Sequence, residues 1–171
     1  MTSTLIESYW QTYLATLPDA ALARGMTYVA EGFGDNPELA DELLALVLSD
    51  TKTATCSALW EWEAEGNPPP QPGLLWMVLD GRGEPQCIVE TVEVTFRRYD
   101  EVDADFAAAE GEGDQTLQYW RDAHRRFFTR TLSAIGKEFT PEMPLVCERF
   151  RVVHRKAPGD AEHAPLDVKS Q

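Results

Sequence analysis

Two β-prone runs in the middle of this chain constrain its fold more than any other feature. Leu74 to Leu79 (LLWMVL) is short and wholly apolar, and Gln86 to Phe96 (QCIVETVEVTF) is rich in β-branched residues, with Asp80-Gly81-Arg82-Gly83 between them. Apolar runs of this length bounded by turn residues read as strands, and the Asp/Gly turn predicts an antiparallel hairpin. The preceding segment, Gly66-Asn67-Pro68-Pro69-Pro70-Gln71-Pro72-Gly73, is too rich in proline to join a central strand and reads as a loop. A two-stranded ribbon does not hold itself together in water, so the rest of the chain must cover this one.

The flanks supply the cover. Leu5, Ile6, Tyr9, Trp10, Tyr13 and Leu14 recur at helical spacing over residues 4–15, and Pro18 ends that segment. Met26 to Ala30 reads as a short strand. Asp35-Asn36-Pro37 opens a second helix, with Leu39, Leu43, Leu46 and Val47 as its apolar stripe through Leu48. Residues 50–58 are small, hydroxyl-rich and mildly β-prone. Val102 to Ala109 starts a short helix, interrupted by Gly111 and Gly113. Asp114 is expected to cap a longer helix to about Leu132, with Leu117, Trp120, His124 and Phe127 or Phe128 on one side. A last strand spans 145–154. Helices and hairpin-like strands in this order predict an α+β fold. The chain divides into an N-terminal helical extension over 1–25, one domain over 26–156 and a flexible tail over 157–171.

Composition excludes several classes. The chain has 171 residues, with 15 Lys and Arg against 29 Asp and Glu, giving a net charge of −14. Residues 1–120 carry five basic and 22 acidic side chains, and 121–156 carry nine and four, so the basic groups collect late. Sheathing a nucleic acid over a large surface needs matched Lys and Arg, which leaves at most a local strip at Arg121, Arg125, Arg126 and Arg130. No apolar run reaches a membrane span, and the N-terminus shows no secretory signal. Cys56, Cys87 and Cys147 are isolated, with no CxxC pair, so neither a zinc site nor a disulfide framework is expected and the cytoplasm is the default compartment.

Common nucleotide and hydrolase motifs are absent. Two segments remain unusual. In Thr51-Lys52-Thr53-Ala54-Thr55-Cys56-Ser57 a lone lysine lies among hydroxyls after an apolar helix. Apolar walls favour the neutral amine, which can take a proton from a hydroxyl that is otherwise a poor nucleophile. In a regular strand Lys52 and Thr55 point to opposite faces, so they converge only if the chain turns there. An edge strand with a solvated lysine is the plainer alternative. In Glu110-Gly111-Glu112-Gly113-Asp114, the glycines mark a turn, while Glu110 and Glu112 have no evident structural task. A carboxylate there could orient Lys52 or pass a proton to a leaving amine.

At these segments the chain resembles the ASCH (activating-signal-cointegrator homology) family, relatives of the PUA RNA-binding fold. The resemblance spans about 26–154. It rests on Phe33-Gly34-Asp35, the apolar helix into Thr51-Lys52-Thr53-Ala54-Thr55, Pro72-Gly73, Glu110 to Asp114 with Tyr119-Trp120, and Val146-Cys147-Glu148-Arg149-Phe150. The family's usual glycine two residues before the lysine is Asp50 here. The resemblance implies a PUA-like small antiparallel β-barrel with helices packed around it, and a cleft where they meet. Relatives include amidohydrolases that deacylate N4-acetylcytidine, ribonucleases and RNA binders. In the amidohydrolases a Lys-x-x-Thr pair and a later Glu are catalytic, which implies Lys52, Thr55 and Glu110 here. In nuclease-like relatives a hydroxyl after the acidic loop matters, and Thr116 is the nearest match.

The first expectation is therefore an enzyme removing the N4-acyl group from acylated cytidine, with no metal or cofactor. Substrate contacts are expected at Thr53, Trp60, Trp76, Thr116 and Arg121, with Trp62 a further aromatic platform. The second is an RNA-binding or RNA-cleaving module using the basic strip with Arg97 and Arg98. An interaction domain without catalysis is the third. The partner is thus a modified nucleoside or RNA, without a membrane, and nothing in the sequence fixes the oligomeric state.

Overall fold

The computed structural model describes residues 2–19 and 25–157. The fold is α+β. Five strands form one sheet: β1 (Tyr28–Glu31), β2 (Ala54–Ala58), β3 (Leu75–Leu79), β4 (Pro85–Arg98) and β5 (Pro144–Arg155). Their order is β1-β3-β4-β5-β2. β3 and β4 make the expected antiparallel hairpin, β4 and β5 and then β5 and β2 continue antiparallel, and β1 adds to β3 in parallel. The expected barrel is not formed. β1 and β2 stand at opposite edges, so the sheet is open and mixed. Irregular pairing along β4, at Ile88/Val89 and Thr91/Glu93, bends the sheet without bringing these edges together.

Helices cover both faces. α1 (Thr2–Leu14) lays Tyr9, Trp10 and Tyr13 against Leu75, Met77 and Ile88. α2 (Pro37–Leu48) packs Leu43, Leu44 and Val47 on the opposite side, against Val78, Val89 and Phe150. Alternation along β3 explains the split, since neighbouring residues of a strand face opposite ways. A third cluster joins α4 (Ala104–Glu110) and α5 (Leu117–Thr131) to β2 and β5 through Phe106, Trp120, Phe128, Ala54 and Leu145. A short α3 (Leu59–Glu65) follows β2 and ends at left-handed Gly66. The expected helical extension at 1–25 has residues 1 and 20–24 outside the described part, and of the expected tail only Ala157 is described. Among the described residues no helix is long and apolar enough to cross a membrane.

The link from α2 to β2 positions the lysine segment. Asn36 caps α2, its side chain accepting from the Leu39 amide at 2.9 Å, and Pro37 takes the first turn. At the other end the amides of Thr51 and Lys52 both donate to the Leu46 carbonyl, at 2.9 and 3.0 Å. This tight reversal places Asp50 at φ +58°, a conformation that glycine adopts freely and that Asp tolerates better than most residues. Asp50 also accepts from Arg155 at 2.7 Å on the exposed surface. Asp50→Gly is thus expected to change unfolding free energy by less than about 0.5 kcal/mol, relief of strain offsetting a surface ion pair. Asp50→Val, with a branched Cβ at positive φ, should cost about 1–3 kcal/mol. Urea denaturation of the two variants measures the difference, and equal midpoints would refute this account of the turn.

Candidate active site

Lys52 lies just before β2, where the chain has not yet become a regular strand. Its side chain is 1% exposed. All three ammonium hydrogens have acceptors: Glu110 Oε2 at 2.9 Å, Glu112 Oε1 at 2.8 Å and the Glu110 carbonyl at 3.4 Å. The solvated edge lysine is ruled out, although β2 is an edge strand. Glu110 is not on a free turn but ends α4, and it is as buried as Lys52. Its Oε1 accepts from the Trp120 indole at 3.1 Å, and its Oε2 also faces His124 Nε2 at 3.5 Å.

Gly111 makes this meeting possible. It caps α4 at φ +72°, and a Cβ there would stand 2.4 Å from the Thr51 carbonyl oxygen. The end of α4 therefore lies directly on the Thr51–Lys52 backbone, and Thr53 N donates to the Ala109 carbonyl at 2.8 Å. After the turn the cap of α5 differs from expectation. Thr116, not Asp114, is the capping residue: its hydroxyl accepts from the Tyr119 amide and donates to Asp114.

The charges in this cluster fix one another. Burial alone would strip the proton from Lys52, but Glu110 and then Glu112 overcome it and raise its pKa above the ordinary value. Burial opposes the Glu110 carboxylate, yet Lys52 and His124 hold it ionised well below the usual range. His124 Nδ1 is 2.9 Å from the Trp120 carbonyl, which requires a proton on that nitrogen, and Nε2 then faces a carboxylate. Against the effect of burial, Glu110 raises the His124 pKa above its ordinary value, which favours the imidazolium. The Cys56 thiol is pushed well above its ordinary value by burial and by Glu110, so it is no ready nucleophile. Cys56, Glu110 and His124 present donor atoms within 4.8 Å of one another, a set a soft divalent ion could use. The Lys52 ammonium beside the same carboxylate opposes a second cation there.

Two cavities meet at this cluster. The first, about 260 Å³, is lined by Lys52, Thr55, Glu110, Glu112, His124 and Arg126 among others. The second, about 190 Å³, is lined by Trp62, Trp76, Glu31 and Glu148. They share Phe33, Gly34, Thr55 and Cys56. Lys52, Thr55 and Glu110 thus line one cavity, and Trp76 lines the neighbouring one. Trp60 lines neither and carries Lys137 over its ring, whereas Trp62, two residues on, does line the second. Thr53 and Thr116 bond within the backbone framework, and the carbonyl of Arg121 accepts from the Tyr99 hydroxyl; none of the three lines either cavity. The basic strip divides around α5: Arg126 and Arg130 reach the first cavity, while Arg125 lies over Phe139. Arg130 also pairs with Asp35 at 2.6 Å. Nothing in the sequence assigns a task to Cys56, and His124 reads there only as one residue of the apolar side of α5. Its place on the apolar side of α5 was legible, but the carboxylate facing it was not.

The family model for the ASCH domain matches residues 29–154. The chain belongs to the ASCH domain family. A crystal structure of an ASCH domain from Lactobacillus crispatus JV V101 is similar at 34% identity and TM-score 0.84, over 89% of this chain and 96% of that one. Protein EF3133 from Enterococcus faecalis V583 is likewise 34% identical, with TM-score 0.81 over 94% of this chain and 97% of that one. The hypothetical protein PH0355, at 11% identity and TM-score 0.51, shares the fold alone. No curated protein matches the chain.

In this ASCH domain Lys52 and Glu110 are both buried and paired, so removing one partner leaves an uncompensated buried charge. Glu110→Gln is expected to cost about 3–5 kcal/mol of unfolding free energy, read by chemical denaturation. A loss comparable to that of a surface substitution would show that the cluster is not held as described. His124 adds a pH dependence. Its pKa is raised above the ordinary 6.5, so the stability it contributes is complete below 6.5 and is lost as pH rises through the folded value. Between mildly acidic and alkaline buffer the wild-type protein should lose more stability than His124→Gln. Parallel curves would refute an imidazolium at this position.

Proposed function

We propose that this ASCH domain protein hydrolyses the amide joining a small acyl group to N4 of cytidine, through an ester on Thr55. The observation that carries the reading is the presence of Lys52, Thr55 and Glu110 on the wall of one cavity, with Lys52 buried and triply bonded. The two adjoining cavities together have the scale of a small ligand rather than of a polymer groove. A net charge of −14 also suits a neutral nucleoside better than a polyanion.

The charge state reassigns one role. A lysine held between two carboxylates starts as an ammonium, so it serves as an electrostatic donor and not as the first proton acceptor. In the proposed reaction Thr55 Oγ1 bonds to the acyl carbon while its proton passes to Glu112, which lines the same cavity. The carbonyl π pair moves to oxygen and is met by the Lys52 ammonium, which exchanges its long bond to the Glu110 carbonyl for this one. Collapse breaks the C–N4 bond, and N4 takes the proton from Glu112. Water then adds to the Thr55 ester, releasing the carboxylic acid and restoring the hydroxyl. Glu110 keeps Lys52 charged and in place throughout.

Incubation with N4-acetylcytidine and separation of the products tests this reading, with a short RNA as the parallel substrate. Cytidine and acetate are expected. Lys52→Met and Thr55→Ala should each lower kcat/KM by roughly 10²–10³ or more, and Thr55→Ser should retain measurable turnover. The rate should hold from neutral into alkaline buffer and fall only above 10.5, the ordinary lysine value that the carboxylates raise. A rate that climbs steadily through the alkaline range would return Lys52 to the role of base. Shortened RNA with intact acetylcytidine would replace the amidohydrolase reading with the nuclease one.

A further inference from the structure

The second cavity holds a buried carboxyl that the reaction above does not use. Glu148 is 6% exposed and lines that cavity. Thr91 Oγ1 donates to its Oε2 at 3.0 Å. Among the described residues no Lys, Arg or His pairs with it, and no donor reaches Oε1. Its sequence neighbour Arg149 turns to the other face of β5, over Phe106. An uncompensated buried carboxyl is costly unless something completes it.

The walls around Glu148 are flat and fixed. Trp76 packs against Phe33 with ring centroids 4.4 Å apart, and its indole N–H donates to the Glu31 carbonyl at 2.9 Å. The Trp62 indole N–H donates to Ser57 Oγ at 2.8 Å. Both rings are therefore held by their polar edges, which leaves π surface as their contribution to the cavity. Glu148 is also the direct cross-strand partner of Thr55 in the antiparallel register of β5 and β2. Cross-strand neighbours share a face, with Cβ atoms about 4.5–5.5 Å apart.

We propose that this cavity is a base-recognition pocket, in which a planar aminopyrimidine lies against Trp76 and Trp62 and presents its amino edge to Glu148. Aromatic walls take the ring, and a carboxyl without a cation takes the N–H donor of the exocyclic amine. Burial raises the Glu148 pKa, and the Thr91 hydroxyl bond works against that rise. The ligand assignment rests on the proposed deacylation in one respect: it identifies the pyrimidine with the leaving group of that reaction. The cross-strand register then brings N4 beside Thr55, and the acyl group enters the cavity of Lys52.

Cytidine tests the pocket without any chemistry, because it carries the amino edge and no acyl group. Calorimetric titration of the full chain with cytidine is expected to show binding, and uridine, with an acceptor oxygen in place of the amine, should bind more weakly. Glu148→Ala should weaken cytidine by roughly tenfold or more, as loss of hydrogen bonds to an ionisable group does. If that variant does not fold, Trp76→Leu, which trims a partly exposed wall, should weaken cytidine while circular dichroism stays that of the wild type. No cytidine binding at millimolar concentration, or an affinity unchanged in the folded variants, overturns the proposal. Cytidine binding through Glu148 without deacylation would keep the pocket and reject the reaction. Deacylation with cytidine affinity indifferent to Glu148 and Trp76 would do the reverse.

Discussion

The Lys52 ammonium, enclosed by Glu110 and Glu112, is the interaction on which this structure turns. Moving a lysine out of water costs several kcal/mol, and only close opposite charges with matched hydrogen bonds return that cost. Here every ammonium hydrogen has an acceptor, and the chain is arranged to provide them. The α2–β2 reversal lifts Lys52 off the sheet, α4 stops at Glu110, and Gly111 lets the two backbones touch. Trp120 and His124 of α5 hold the far side of Glu110. The lysine segment and the α4–α5 pair, far apart in the sequence, are thereby committed to one another through polar contacts beside an apolar cluster.

That arrangement also shapes what chemistry the site can perform. A pre-charged, pre-oriented ammonium costs no reorganisation when negative charge develops beside it, which is the useful property in acyl transfer. The same pairing makes Lys52 a reluctant proton acceptor. Thr55 lies on the wall common to both cavities. The edge position of β2 gives that wall access from outside the sheet.

Much of this was legible in the sequence because it depends on short-range pattern. The hairpin of β3 and β4 follows from apolar and β-branched runs around an Asp/Gly turn, and α2 from its Asn-Pro start and leucine stripe. The lysine segment stood out because a lone lysine lies among hydroxyls after an apolar helix, and its β-prone part does become β2. What failed depends on long-range geometry. Closure of the sheet is set by strand bending and by which edges meet, and no local pattern encodes it. Trp60 and Trp62 differ by two positions, yet the helical rotation between them in α3 sends only Trp62 to a cavity. Arg121 and Arg126 share a charge run, but five residues of α-helix carry them to different sides. Asp114 and Thr116 compete for one cap, and the left-handed Gln115 between them goes with Thr116 as the residue that starts the helix.

The contact of Gly111 with the Thr51 carbonyl has a bearing on how the chain folds. It joins segments some sixty positions apart in the chain, and the hairpin lies between them. Loop-closure entropy disfavours such a contact until the intervening hairpin has drawn its ends together. By that entropy the charge cluster is expected to close only after the hairpin it spans. Interactions of that kind act on the escape rate from the native state and leave the rate of reaching it nearly untouched. The buried lysine then works as a latch, and the lifetime of the folded protein, more than the speed of its formation, is what the latch governs.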